Sequence, residues 1–133
     1  MVPMAITRIV TADQELGLGS IVLLTETTGE RAFPIFIGYW EASAIERHLK
    51  GVGPPRPLTH DLLANSFRTM GARVEKIVIS SLKDNTFYAR IHVRRHDGQM
   101  VEIDSRPSDA MALAVRTDAA IFVEPDVLDQ ATI

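Results

Sequence analysis

Val101-Glu102-Ile103-Asp104-Ser105-Arg106-Pro107-Ser108-Asp109-Ala110-Met111 decides the fold, because an alternating strand runs straight into an apolar helix within it. Val101 and Ile103 are spaced at the two-residue period of a half-buried strand, and Ser108 to Arg116 follows as a helix. With Ser105 as the N-cap, Pro107 falls in the first turn, where its missing N–H has no partner to lose. Ser108 and Asp109 then stand beside the exposed amides of the helix start, a setting that suits an anion, while the carboxylates could instead recruit a divalent cation. Capping accounts for Ser105 and Pro107 and for part of Asp109. It does not require Asp104 and Arg106 as well.

Upstream, Phe87, Ala89, Ile91 and Val93 alternate along a strand from Thr86 to Arg95. A two-residue turn at Asp97-Gly98 would pair inward residues with outward ones, which the pleat forbids. A three-residue loop, His96-Asp97-Gly98 with Gly98 left-handed, instead pairs Val93 with Val101 and Ile91 with Ile103. Arg90 then lies opposite Asp104 and His92 opposite Glu102. The row Tyr88, Arg90, His92, Arg94 could stack a base and hold phosphate, but facing carboxylates make a solvated sheet face the simpler account.

Ala5 to Thr11 and Ser20 to Glu26 read as strands split by a loop around Gly17 and Gly19, and Phe33, Ile35 and Ile37 as a third. Glu41 to Lys50 is helical and stopped by Gly51, and Gly53-Pro54-Pro55-Arg56-Pro57 is a stiff connector. Thr59 caps a helix carrying Leu63, Phe67 and Met70 and closed by Gly71. Val74 to Leu82 is a strand joined to the next through an Asp84-Asn85 turn, Ala120 to Val123 is a short strand, and Pro125 to Ala131 a terminal helical turn. At an offset of 68 residues, Leu23, Phe33, Ile35 and Ala42 fall on Ile91, Val101, Ile103 and Ala110, and Glu41 on Asp109. The pattern suggests a duplicated hairpin followed by a helix. The expected fold is α+β: one domain over residues 1–133, with mainly antiparallel or mixed strands and about three helices.

The 133 residues include no cysteine, which removes disulfides, thiolate nucleophiles and Cys-based metal sites. No apolar run approaches the roughly 18 residues of a membrane span, and Met1 to Ile6 lacks the marks of a signal peptide, so a cytoplasmic location without membrane contact is expected. A net charge of −3 disfavours broad attraction to phosphates, so a nucleic-acid protein would need a local basic patch or bridging metal ions. Phosphate-loop, dinucleotide, nucleophile-elbow and HExxH motifs are absent, as is zinc-binding histidine spacing.

Two further clusters carry chemistry. Arg56-Pro57-Leu58-Thr59-His60-Asp61 offers an imidazole as general base or metal ligand. Capping by Thr59 and a helix-dipole role for Asp61 explain part of it, and adjacent helical positions diverge by about 100°. Glu41, after Gly38-Tyr39-Trp40, is a first-turn glutamate with the same two readings.

Together these segments resemble the bifunctional nuclease domain family. The matching residues are Pro34 to Gly38, Glu41 to Ile45, Arg56 to Leu62, Asp84 to Ala89 and Asp104 to Ala114, which agree in order and spacing. The resemblance implies an α+β fold, a homo-oligomer, most simply a dimer, and cleavage of DNA and RNA as in plant members. Relatives often have smaller residues where Tyr39 and Trp40 stand, and some append a UvrB/UvrC-type motif where this sequence ends at Ile133. On this basis the expectation is a phosphodiesterase of low sequence specificity. Asp104, Asp109 and Glu41 would hold Mg²⁺ or Mn²⁺, with Asp104 and Asp109 the principal ligands. Arg56, Arg106 and Ser108 would bind the substrate phosphate, and His60 would be the acid/base. No organic cofactor is expected. The alternative is a non-catalytic oligomeric module that binds a small anion, a nucleotide or a protein partner.

Overall fold

The computed structural model describes residues 1–11 and 19–132. In chain order the elements are β1 (Val2–Val10), β2 (Ser20–Glu26), β3 (Ala32–Ile37), α1 (Tyr39–Leu49), α2 (Thr59–Thr69), β4 (Arg73–Lys83), β5 (Thr86–Arg94), β6 (Met100–Ser105), α3 (Pro107–Thr117), β7 (Ala120–Val123) and α4 (Pro125–Ala131). The strands form one sheet in the order β3-β2-β1-β7-β4-β5-β6, parallel only where β7 meets β4. The fold is therefore α+β, as expected.

Neighbouring strands lie about 4.8 Å apart. A flat sheet would therefore hold β3 and β5 roughly 24 Å from each other, since five inter-strand steps separate them. Instead the rings of Phe33 on β3 and Phe87 on β5 stack at 5.5 Å. The sheet curls until β3 approaches β5, and α3 runs along the hollow. From Ala110 to Ala114 every residue of α3 is buried, packed against β4 and β5 and against α1 and α2. The alanines at 110, 112 and 114 let neighbouring backbones approach, while Met111 and Leu113 contribute roughly 2–3 kcal/mol each through burial. A helix apolar all round belongs inside a protein.

The β5–β6 register matches the expectation at every named pair: Val93↔Val101, Ile91↔Ile103, Arg90↔Asp104 and His92↔Glu102. Arg95 N–H donates to the Gln99 carbonyl (2.8 Å), closing the loop His96-Asp97-Gly98, and Gly98 has φ +88°. Between β4 and β5, Asp84 (φ 50°) and Asn85 (φ 61°) form a two-residue turn with both angles positive, the type that matches strand twist.

Three local expectations need correction. Among the described residues four helices form rather than three, because the terminal turn becomes α4, whose Val127 and Leu128 are buried. Ser105 does not cap α3: it is still paired with Ala89 in the sheet, and its hydroxyl donates to the Arg106 carbonyl (2.8 Å), so Arg106 is the N-cap. Thr59 does not cap α2 either, since Leu58 holds that position, its N–H donated to the Asp61 carboxylate (2.9 Å). The loop expected around Gly17 lies outside the described residues up to position 18.

The suspected duplication has a structural counterpart. β1-β2-β3-α1 and β4-β5-β6-α3 are each a three-stranded antiparallel meander followed by a helix. Gly38 and Arg106 are the two N-caps, 68 residues apart, and Glu41 and Asp109 are the third residues of their helices. α1 and α3 pack together.

Gly98 and Gly53 provide a test of where backbone conformation matters. Neither has an atom within 4 Å of an added Cβ, but only Gly98 has a positive φ. Gly98→Ala is expected to cost about 1 kcal/mol, and Gly53→Ala to stay within about 0.5 kcal/mol of the parent, both read from urea denaturation midpoints.

Candidate functional site

Arg106 stands at the start of α3 with its guanidinium turned toward the first turns of α1 and α3. Its Nε donates to Asp109 Oδ2 at 2.9 Å and an Nη to Oδ1 at 3.2 Å, while the other Nη lies 3.6 Å from Glu41 Oε1. The two acidic residues at equivalent positions of the repeated halves thus flank one arginine. The Arg106 side chain remains 64% exposed, so N–H groups not spent on Asp109 are accessible.

Asp109 holds a second partner. His60, in the first turn of α2, places Nε2 at 2.8 Å from Asp109 Oδ1. Burial pushes the Asp109 carboxyl up, but hydrogen bonds from Arg106 and His60, with their charge, outweigh it and hold the group below its ordinary value. An ionised carboxylate only accepts, so in the neutral form of the imidazole the proton sits on Nε2 and Nδ1 carries the lone pair. No partner occupies Nδ1 among the described residues. The His60 side chain is 16% exposed.

The neighbouring Asp61 points elsewhere. Its Oδ1 accepts from Arg116 Nε at 2.8 Å, and Arg116 also donates to the carbonyls of Ala112 (2.7 Å) and Ala44 (3.1 Å). Burial raises the Asp61 pKa, and the Arg116 and Leu58 hydrogen bonds reverse that and set it below the ordinary value. Arg116, only 8% exposed, ties α1, α2 and α3 together.

Glu41, His60, Arg106 and Asp109 therefore meet, while Asp104 and Arg56 do not join them. Asp104 shares the outer sheet face with Arg90 and Glu102, away from the face that α3 covers. Among the described residues neither Asp104 nor Arg90 closes an ion pair; His92 and Glu102 approach to 3.4 Å. On the same row Arg94 is bound to Glu75 at 2.6 Å. Arg56 is exposed in the connector, with no side-chain partner among the described residues. Ser108 is buried and lines a cleft of about 470 Å³ with Arg106, Phe36, Asn85 and Thr86. Asp104 lies on the outer sheet face, and both Asp109 oxygens are engaged by His60 and Arg106. Among the described residues no three His, Asp or Glu side chains gather closely enough to hold an ion by themselves.

Sequence reasoning did not single out Arg116, Phe36 or Thr86 for a site. Arg116 gave no local signal, because its partners outside its own helix lie 55 and 72 residues away. Asn85 and Thr86 lay in a segment that matches the family but read as a turn, and only the curl of the sheet carries that turn to the start of α3.

A sequence profile of the bifunctional nuclease domain matches residues 22–133. Two uncharacterized proteins of Mycobacterium tuberculosis, from strains CDC 1551 / Oshkosh and H37Rv, are each 41% identical over 111 residues, which is 84% of this chain and 65% of theirs. The chain thus spans just under two thirds of those relatives. Bifunctional nuclease 1 of Oryza sativa subsp. japonica is 24% identical over 106 residues, 78% of this chain and 32% of the plant protein.

Removing Arg116 leaves Asp61 without its cation at a partly buried position. Arg116→Leu is expected to lower stability by about 3 kcal/mol, and Arg116→Lys by less, since it keeps the charge and loses the fork. Chemical denaturation of both variants checks this. Asp61 and Asp109 ionise at lower pH in the fold than the ordinary value of 3.8. The stability they contribute is complete above that value and drains away as pH falls through the folded ones. Asp61→Asn and Asp109→Asn should each flatten the loss of stability below about pH 4, measured by denaturation at stepped pH.

Proposed function

The chain belongs to the bifunctional nuclease domain family, and from that premise we propose that it hydrolyses phosphodiester bonds in DNA and RNA at the Arg106 cleft. The carrying observation is the line Asp109–His60, with a free imidazole nitrogen, beside an arginine whose outer edge is exposed. Arg106 and the Ser108 hydroxyl receive the phosphate, and the unpaired amides at the start of α3 add positive potential. His60 Nδ1 takes the proton of the attacking water and returns it to the leaving oxygen as the P–O bond breaks. Asp109 acts through His60 as a positioning residue, and Glu41 steadies Arg106. Hydrolysis also needs charge offset at the phosphate. Where the family chemistry uses Mg²⁺ or Mn²⁺, the ion would take most of its ligands from substrate and water.

The second reading is an oligomeric binding module. It is favoured by the two carboxylates that already neutralise Arg106, and by Phe36 and Trp40 standing 72% and 67% exposed.

Assays on single-stranded DNA and RNA with highly purified protein, in EDTA, Mg²⁺ and Mn²⁺, separate the two. His60→Ala should lower the cleavage rate by about 100-fold or more, Arg106→Gln should weaken substrate binding, and Asp104→Asn should behave as the parent. Cleavage that survives His60→Ala at the parent rate assigns the activity to a contaminant or to another site.

A further inference from the structure

A second cavity, of about 270 Å³, opens on the other side of α1 from a sequence stretch with no assigned role. Trp40, Ser43 and Arg47 recur at helical spacing and form one wall, the connector at Val52 and Pro54 forms the opposite one, and Leu58 of the α2 N-cap closes an end. Its floor is the Asp61–Arg116 pair, whose charges already satisfy each other. The lining is mostly apolar, and what is left over in charge is cationic. Arg47 carries a positive charge with no side-chain partner among the described residues, and His48 beside it makes no side-chain hydrogen bond or ion pair there, although it stands close enough to Asp61 to help hold that carboxyl down. These groups lie in the last turn of α1, where they offset the negative end of the helix dipole.

Trp40 is held edge to face against Tyr39 at 5.1 Å and 82°. That contact occupies at most one face of the indole, and the residue is 67% exposed. An open aromatic face, an apolar slot and an unpaired guanidinium one to two helical turns apart match a ligand with a flat ring at one end and an anion at the other. The volume is near the lower end of small-molecule sites, about 300–1,000 Å³, and has room for one nucleoside unit.

We propose that this pocket binds a nucleotide, with the base stacked on Trp40 and the phosphate on Arg47 and His48. The ligand is either a free mononucleotide or the terminal unit of a strand, which share this chemistry. Binding does not depend on phosphodiesterase activity, so failure at His60 would leave the pocket standing.

Trp40 is the single tryptophan of the chain, so its fluorescence reports the pocket directly. The full chain titrated with adenosine 5′-monophosphate should show saturable quenching. Adenosine and inorganic phosphate should each bind about tenfold more weakly or worse, since each lacks half of the contacts. Arg47→Ala, at an exposed position and checked for folding by circular dichroism, should weaken the mononucleotide by about tenfold. Trp40→Phe, followed by calorimetry, should weaken it while retaining some stacking. A 5′-phosphorylated trinucleotide that binds much more tightly than the mononucleotide identifies a strand end as the ligand; equal affinity identifies the free nucleotide. The proposal is overturned by an absence of saturable quenching and of binding heat, by adenosine or phosphate binding as tightly as the mononucleotide, or by an unchanged affinity in Arg47→Ala.

Discussion

The arrangement of the helices depends on one guanidinium. Arg116 leaves the last turn of α3 and donates to α1 through Ala44, to α2 through Asp61 and to its own helix through Ala112. A charge this enclosed is costly unless all of its donors find acceptors at the right angles. The three elements therefore have few relative positions open to them. The pair adds little net stability over an apolar replacement of equal volume, but it fixes geometry. His60 benefits directly. It sits beside Asp61 on the first turn of α2, so the contact that anchors Asp61 also aims His60 at Asp109. The divergence of adjacent helical side chains, which prevents His60 and Asp61 from meeting, lets one serve the fold and the other the site.

Repetition explains the charge pattern around Arg106. Two like halves each end a meander in a helix with an acid at its third position. One half begins its helix with Gly38 and the other with Arg106. Where α1 meets α3, two carboxylates therefore share a single cation. Both N-caps line the cleft, and the difference between the halves, rather than their likeness, leaves it with one cation, from Arg106.

Much of this was legible in the chain because it is set locally. Alternation, Gly98 and the three-residue loop are enough to fix the β5–β6 register, and that register already puts Asp104 on the Arg90 face. The same logic, carried further, would have separated Asp104 from Asp109. The caps were misplaced because Ser105 and Thr59 have good capping chemistry, while the sheet ladder and the Asp61 carboxylate competed for the same positions. The chemistry of His60, Asp109 and Glu41 suggests that they belong together, but no local rule brings them there. Their convergence arises from the curl of the sheet and the packing of α1 and α2 on α3, which are long-range consequences of burial with no signature in a short window.

Both rims of the sheet are blunted. β3 carries Pro34, which has no N–H to offer a further strand, and β6 presents Glu102 and Asp104 side by side on its outer face. A second copy laid antiparallel along β6 would bring like charges against each other, and one laid along β3 would find a gap in its ladder of donors. Growth by strand addition is thus discouraged at both ends. Contacts made through the helices or the exposed aromatic side chains meet neither obstacle.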